Sequence, residues 1–342
     1  MNKTRTPSIK SGLRFGRAAR IMPSVMETIL VTGGAGFIGS HTSERLLAAG
    51  KRVVCVDNFD EFYPVEVKRA NIADCLRNPG YSLVVGDIRD EKLMAAAVKD
   101  NEVEAIIHLA ARAGVRPSIE QPILYQDVNI GGTVSVLEAA RKAGVKTVLF
   151  ASSSSVYGGN TKLPFSEDDP VDHQVSPYGA TKKAGELLCY VYHHLYGLNI
   201  TCLRYFTVFG PRQRPDLAIH KFVKAMLAGE TIPMFGDGSS GRDYTFIDDI
   251  VDGLMAALAK SYPYEIINLG GSHPVSLKEL IETIERVLGR KAEIEQLPEQ
   301  PGDMRYTYAD VSKAERLLGY KPKVGIEEGI RRFAEWYKSR QV

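Results

Sequence analysis

Between Thr28 and Tyr205 short apolar runs alternate with longer stretches of helical periodicity. The apolar runs predict strands at Thr28–Val31, Arg52–Val56, Leu83–Val85, Ala105–Leu109, Thr147–Ala151 and Ile200–Tyr205. They are near-continuously apolar, which suits parallel strands covered on both faces. The first intervening helix ends at Gly50, a residue suited to the position just past a helix C-terminus. Such alternation predicts a doubly wound α/β domain over residues 26–205.

After Tyr205 the pattern loosens. Segments rich in Pro, Gly and Arg (Gly210–Pro215, Gly236–Arg242, Pro298–Gly302) separate short helices. Residues 206–342 are therefore expected to form a smaller, interleaved C-terminal α/β lobe. The run Glu265–Leu269 is suited to rejoin the main sheet. Ser276-x-x-Glu279 and Ser312-x-x-Glu315 predict capping boxes that open helices. No repeats or low-complexity tracts interrupt the chain.

At 342 residues the chain can bury a large core. A net charge of +2, with 25% charged residues, offers no basic surface for nucleic acid or membrane. No apolar run approaches the roughly 20 residues of a membrane span. Cys55, Cys75, Cys189 and Cys202 are widely spaced and form no C-x-x-C. They read as buried free thiols of a cytoplasmic protein, and no metal site is expected. Residues 1–25 hold Lys3, Arg5, Lys10, Arg14, Arg17 and Arg20, with no acid before Glu27 and no continuous apolar stretch. They read as a disordered leader ahead of a domain starting near Met26, with a targeting peptide as the alternative.

Two constellations carry chemistry. The first strand runs into Thr32-Gly33-Gly34-Ala35-Gly36-Phe37-Ile38-Gly39. Glycines at 33, 36 and 39 permit a tight turn, close approach of a pyrophosphate and close helix packing, with a helix N-terminus facing the phosphates. Asp57 ends the second strand, where an acid binds the adenosine ribose hydroxyls and repels a 2′-phosphate. That favours NAD over NADP. Arg52 stands at the far, opening end of the strand, and Lys68 and Arg69 are distant, so no phosphate-binding arginine is evident. Asp87 ends the third strand with Ile88, either at the adenine edge or as a strand-end cap. The second constellation is Tyr178-Gly179-Ala180-Thr181-Lys182. Its Tyr and Lys sit one helical turn apart on one face. An ammonium near a phenol lowers its pKa from about 10, so the pair suits taking and returning an alcohol proton.

Together the Thr32–Gly39 turn, Gly86-Asp87-Ile88, His108-Leu109-Ala110-Ala111, Ser152–Tyr157 and Tyr178-x-x-x-Lys182 resemble the extended short-chain dehydrogenases/reductases, from residue 27 to about 340. The resemblance implies a Rossmann domain. It implies NAD contacts from Gly33, Gly36, Phe37, Ile38, Gly39, Asp57, Asn58, Asp87, Ile88, Leu109, Ala110, Ala111, Asn129, Tyr178 and Lys182. It makes Ser153 the hydroxyl that assists Tyr178, and His108 structural. It also implies homodimers that pair the helices of Asn129 and Tyr178.

Within that family, 4,6-dehydratases carry Asp-Glu after the catalytic hydroxyl, and sugar-nucleotide decarboxylases carry Glu. Here Ser154 and Ser155 stand at those positions. The site is thus equipped to oxidise and reduce but not to eliminate, which matches a 4-epimerase acting through a transient 4-keto sugar. The segment Leu203–Asp216, with Thr207 where Asn is usual and Arg214 before Pro-Asp, resembles epimerases of UDP-glucuronate. Arg112 departs from the Gln common in that branch. Ser153, Ser154, Ser155, Thr207 and Arg214 are the candidate contacts to a hexuronate, Arg being suited to bidentate carboxylate binding. Arg214 has a loop salt bridge to Asp216 as its alternative. Arg116 is divided between a pyrophosphate and a surface role. Arg242 is assigned to the UDP pyrophosphate and Gln300 and Asp303 to the nucleotide ribose. Asp248 reads as structural, and Lys221 as either a phosphate contact or a solvated helix lysine. The competing functions are a 4-epimerase of UDP-glucose or UDP-N-acetylglucosamine, which shares the catalytic residues, and a non-catalytic dinucleotide sensor.

Overall fold

A computed structural model describes Met1 and residues 27–298 and 306–340. The rest of the expected leader, and Gln300 and Asp303, lie outside the described residues. The strands are β1 Thr28–Thr32, β2 Arg52–Asp57, β3 Tyr81–Val85, β4 Ala105–His108, β5 Thr147–Ser153, β6 Asn199–Tyr205, β7 Thr207–Phe209, β8 Ile232–Phe235, β9 Gly241–Phe246, β10 Tyr264–Leu269, β11 Pro274–Ser276, β12 Ile294–Leu297 and β13 Tyr306–Thr307. The helices are α1 Phe37–Ala48, α2 Val65–Asn71, α3 Glu91–Lys99, α4 Val115–Glu120, α5 Pro122–Gln126, α6 Gly132–Ala143, α7 Pro177–Tyr196, α8 Ala218–Ala228, α9 Ile247–Lys260, α10 Leu277–Leu288, α11 Ser312–Leu318 and α12 Ile326–Ser339.

Seven strands form one sheet in the order β10-β6-β5-β4-β1-β2-β3, with every pairing parallel. Both faces are covered. Ile29 and Val31 join the core on one face, while Leu30, Val54 and Ile106 join the core on the other. Strand order reverses between β1 and β4, so a crevice opens beyond their C-terminal ends. Several strands run further than the apolar pattern predicts. β2 reaches Asp57 and β5 reaches Ser153. The polar residues are where each strand meets the crevice, so hydrophobicity stops before pairing does. Conversely, β4 ends at His108, and Leu109 only donates its N–H to Thr32 O before the chain turns.

Beyond the sheet, β7, β11 and β13 pair with β9, and β8 pairs with β12. Of the two predicted capping boxes, one forms as a cap. Ser276 Oγ accepts from Glu279 N at 3.1 Å. Ser312 instead lies inside α11, and its N–H donates to Asp310 Oδ1 at 2.9 Å. Val311 is the cap residue and makes no side-chain cap bond, so the Asp310 carboxylate engages one N–H of the first turn without forming the predicted box.

The site is positioned chiefly by α7. Ser176 Oγ caps its start by accepting from Gly179 N, Pro177 occupies the first turn, and left-handed Gly197 ends it. Tyr178, Lys182 and Glu186 follow at intervals of four and form one stripe against β5 and β6. Gly185 allows close approach, since a Cβ there would lie 2.3 Å from Phe150 Cζ. Lys182 Nζ donates to Ala151 O at 2.7 Å. Glu186 accepts from Ser152 Oγ at 2.7 Å and from Arg204 Nε and Nη2 at 2.8 and 2.9 Å. The Glu186 and Arg204 side chains are each 1% exposed, so neither charge has water to fall back on. Removing one partner of such a pair costs about 3–5 kcal/mol. Glu186→Gln should therefore lower unfolding stability by that order in denaturant titration, and Glu186→Met with Arg204→Met should recover much of the loss.

Candidate active site

A cavity of ≈ 520 Å³ fills the crevice. Its floor is the β1–α1 turn. A Cβ on Gly39 would sit 2.2 Å from Gly33 O, and one on Gly33 would sit 2.8 Å from Ala110 N. No larger residue fits this cradle. Gly36 caps α1 without any side-chain acceptor, and the first turn carries no acid. The helix therefore presents unpaired N–H groups and the positive end of its dipole to the cavity, a site for a pyrophosphate.

Asp57 lines the cavity and is buried. Its two oxygens accept from Ala35 N at 3.0 Å and Phe59 N at 2.9 Å. Burial pushes its pKa up, against those hydrogen bonds and the nearby Lys68. Asn58 also lines the cavity and donates to Asp87 Oδ2 at 3.1 Å. Asp87 and Ile88 line it too. The strand-end reading of Asp87 has direct contacts. It accepts from Arg89 N, and the Arg89 guanidinium chiefly holds its pKa down at about 2.

Leu109, Ala110 and Ala111 form the wall beside the cradle. Their path is fixed by a directional chain of hydrogen bonds. Ala110 N–H donates to Thr32 Oγ1, which lies 2.7 Å from His108 Nδ1. His108 Nε2 lies 3.1 Å from Thr133 Oγ1, which in turn donates to Asn129 O. Because the Thr133 hydroxyl proton is committed to Asn129, Nε2 must carry the imidazole proton and Nδ1 must accept from Thr32. Complete burial pushes the His108 pKa down to about 3. His108 is a neutral structural bridge, not an acid or base.

Tyr178, Lys182 and Ser153 meet at the opposite wall with Ser154 and Ser155. Ser153 begins a short 3₁₀ turn, accepting from Ser155 N at 3.1 Å and donating to Ser155 Oγ at 3.2 Å. Burial pushes the Tyr178 pKa up, and the Ser153 hydrogen bond and the Arg214 guanidinium oppose that rise. Lys182 Nζ is directed at Ala151 O and lies 6.0 Å from the Tyr178 ring centroid, and the Arg214 guanidinium adds its own field against the rise at the phenol. Burial pushes Lys182 down to about 8.

Thr207 and Arg214 also line the cavity. The salt bridge read as the alternative for Arg214 is present. Its Nε and Nη2 donate to Asp216 at 2.9 and 2.8 Å, while Nη1 is outside that pair. Three predicted contacts do not line the cavity. Arg116, on α4, stacks over Phe235 at 5.6 Å. Arg242, on β9, donates to Gly241 O. Asn129 is buried, bonding Arg112 N, Arg112 O and Thr181 Oγ1. It ties the wall after β4 to α7 instead of touching a ligand, because every polar atom of its amide is already engaged.

The sequence reading missed the segment after Asp57. Asp60, Phe62, Tyr63 and Lys68 all line the cavity, as does Arg112. Arg112 is ion-paired to Asp60. Phe62 receives the guanidiniums of Arg112 at 5.1 Å and Arg214 at 5.3 Å. The available signal was three aromatics, Phe59, Phe62 and Tyr63, closely following Asp57. Lys68 is far from Asp57 in sequence, but α2 folds back and brings it into reach.

A family model described as "NAD dependent epimerase/dehydratase family" matches residues 29–270. The UDP-glucuronate 4-epimerase of Thermodesulfobacterium geofontis is 46% identical over 310 residues, 90% of this chain and 95% of the relative. The structure of the UDP-glucuronic acid 4-epimerase from Bacillus cereus, in complex with UDP-glucuronic acid and NAD, matches with a TM-score of 0.86 at 38% identity, over 92% of this chain and 99% of that one. The dTDP-glucose 4,6-dehydratase DesIV from Streptomyces venezuelae, with NAD and TYD bound, also matches at 0.86, with 34% identity over 92% and 98%. Relatives named for two reaction types thus share this fold, so the fold alone does not assign the reaction. The cradle, the open helix end and the acid closing β2 fit a dinucleotide. Matched over most of its length, the chain belongs to the NAD dependent epimerase/dehydratase family, and NAD is its cofactor.

Proposed function

We propose that the chain interconverts UDP-glucuronate and UDP-galacturonate by epimerisation at C-4. The observation that carries this reading is the Ser153–Ser155 wall. Serines stand where a dehydratase or decarboxylase has carboxylates, and the cavity's own acids, Asp57, Asp60 and Asp87, lie on or just after β2 and β3. The relatives named for UDP-glucuronate support the choice of sugar.

Bound NAD supplies a reversible hydride acceptor, so the reaction involves no net oxidation. Tyr178 takes the C-4 hydroxyl proton and later returns it; the Ser153 hydroxyl turns from Ser155 Oγ to donate to the phenolate, and Arg214 favours that charge through space. The 4-keto uronate formed in between is a β-keto acid and tends to lose CO₂. Thr207 and Arg214 bind its carboxylate and hold that C–C bond away from the carbonyl π system. Ser154 and Ser155 supply no acid to protonate a decarboxylated product. Residues 27–205 with β10 would hold the cofactor, and the C-terminal lobe the nucleotide sugar. We place the enzyme in the cytoplasm, consistent with four buried free cysteines.

A homodimer completes the reading. On α7, Leu187, Val191 and Leu195 form an exposed stripe at four-residue spacing, and Ile119 and Ile123 on adjacent α4 and α5 are also exposed. An apolar patch of this kind marks a protein contact.

Purified protein given UDP-glucuronate without added NAD should yield UDP-galacturonate. A pentose nucleotide and CO₂ as the main products would overturn the reading. Arg214→Ala should raise KM about tenfold or more, since a charged hydrogen bond contributes ~1.5–3 kcal/mol, and should raise the decarboxylated fraction. An unchanged fraction would mean the clamp is misplaced. The dimer predicts that Leu187→Asp with Val191→Asp sediments as a monomer where the wild type sediments as a dimer.

Lys182 gives a pH signature. The unfolded lysine holds its proton up to about 10.5, whereas the folded one loses it near 8. Between those values the unfolded state binds more protons, so stability rises with pH; below 8 the cost of the buried charge is present in full. Compared with Lys182→Met, the wild type should gain up to roughly 3 kcal/mol from pH 8 to 10.5, measured by denaturant unfolding at each pH.

A further inference from the structure

The chain leading into Arg214 is held in a conformation that its own residues do not favour. Gln213 N donates to Gly210 O at 3.0 Å, closing a four-residue turn with Pro211 and Arg212 at its centre. Arg212 has φ +67°. A turn with proline second and a left-handed residue third normally takes glycine there, because a Cβ is strained in that region. Arginine is kept in place by partners on α1. Its Nη2 donates to Glu44 Oε1 at 2.6 Å, and the Arg212 side chain is 14% exposed. His41 Nε2 donates to Pro211 O at 2.9 Å. His41 and Glu44 lie three residues apart on one face of α1, so one helix grips two successive residues of the turn. On the other side Gln213 is buried. Its Nε2 donates to Val208 O on β7, and its O accepts from His220 Nδ1 on α8. Arg214 is the next residue. The helix that grips the turn also opens at the pyrophosphate cradle. Phe37 of its first turn lines the cavity and meets the His41 ring edge-on at 5.9 Å.

We infer that Arg212 and Glu44 are positioning residues: with His41, they set where Arg214 enters the cavity, and so how selectively the site takes a carboxylated sugar. Backbone strain persists only where the surroundings over-determine it. Here the determining contacts come from the helix that carries the cofactor cradle. Asp216 fixes the plane of the Arg214 guanidinium, but Asp216 lies on the same loop and moves with it. The α1 contacts tie that loop to the cradle. Neither Arg212 nor Glu44 lines the cavity, so both act through Arg214. A displacement of about 1 Å there is enough to misalign a bound group. That Arg214 meets a carboxylate rests on the proposed function; that α1 places Arg214 does not.

The test follows KM, kcat, the decarboxylated fraction and bound NAD in turnover of UDP-glucuronate. Arg212→Gly suits the left-handed φ but has no guanidinium. It should unfold within about 4 °C of wild type and keep wild-type NAD content. It should nonetheless raise KM about threefold to tenfold, with a smaller change in kcat, and raise the decarboxylated fraction. Glu44→Gln should do the same, and it carries the test should Arg212→Gly not fold. Arg212→Lys keeps a cation for Glu44 and should return KM to within about twofold of wild type. In an Arg214→Ala background, Arg212→Gly should change KM by less than about twofold. A wild-type KM and product ratio in Arg212→Gly, or an effect that persists without Arg214, would overturn the inference. A wild type with no preference for UDP-glucuronate over UDP-glucose would sink the substrate reading instead. Crystal structures then decide the clamp: in Arg212→Gly the Arg214 guanidinium should leave its place beside Phe62, and an unmoved guanidinium refutes it.

Discussion

The buried Glu186–Arg204 pair sets how α7 lies on β5 and β6, and the geometry of the site follows from it. Ser152 and Arg204 are register partners across those strands, and both bond Glu186. One carboxylate thereby fixes a helix to two strands at once. Its desolvation is tolerable only because three donors converge on it. With that contact made and Gly185 resting on Phe150, Lys182 one turn earlier reaches Ala151 O. Tyr178, one turn earlier again, then faces Ser153. A slip of one residue in the β5–β6 register would send Ser153 to the other face of the sheet.

The cavity's charges are arranged along its length. Asp57, Asp60 and Asp87 follow the ends of β2 and β3, whereas Lys182 and Arg214 flank the tyrosine. The cation beside each acid differs in kind. Arg89 holds Asp87 in a fork, Arg112 pairs with Asp60, and Lys68 reaches Asp57 only through space. The neutral His108 chain contributes direction without charge, which keeps the wall beside the cradle from competing for anionic ligands. A dinucleotide and a nucleotide sugar both bring pyrophosphates, so a cavity dominated by acids would reject both.

Much of this was legible in the sequence because it follows from rigid local rules. A glycine turn between strand and helix has few possible uses, and Tyr and Lys four apart share a helix face whatever surrounds them. The parallel sheet follows from its near-continuous apolar runs. What was not legible depends on long-range packing. Glu186 looks like any helical acid until Arg204, 18 residues on, is placed beneath it. Lys68 looked remote because distance along the chain says nothing about how α2 folds back. Asn129 was placed at the cofactor when its amide is in fact saturated by Arg112 and Thr181. Arg116 and Arg242 were chosen for charge, and charge alone does not say which way a side chain packs.

Arg214 faces competing demands, and their resolution assigns the remaining roles. Asp216 occupies its Nε–Nη2 edge, which fixes the plane of the guanidinium before any ligand arrives and lowers the entropy lost on binding. Phe62, reached from the cofactor side, covers it and joins it to Arg112. Its field also opposes the rise in the Tyr178 pKa. In the proposed function, a uronate carboxylate at the Nη1 end would cancel part of that field and so weaken the help Arg214 gives the base. The Ser153 hydrogen bond does not depend on the charge of the sugar and survives this cancellation. On that proposal Ser153 is the constant support of the phenolate, while Arg214 serves mainly to hold the carboxylate. A neutral sugar would leave the Arg214 field intact, and discrimination against it must come from the unfilled guanidinium, not from a weaker base.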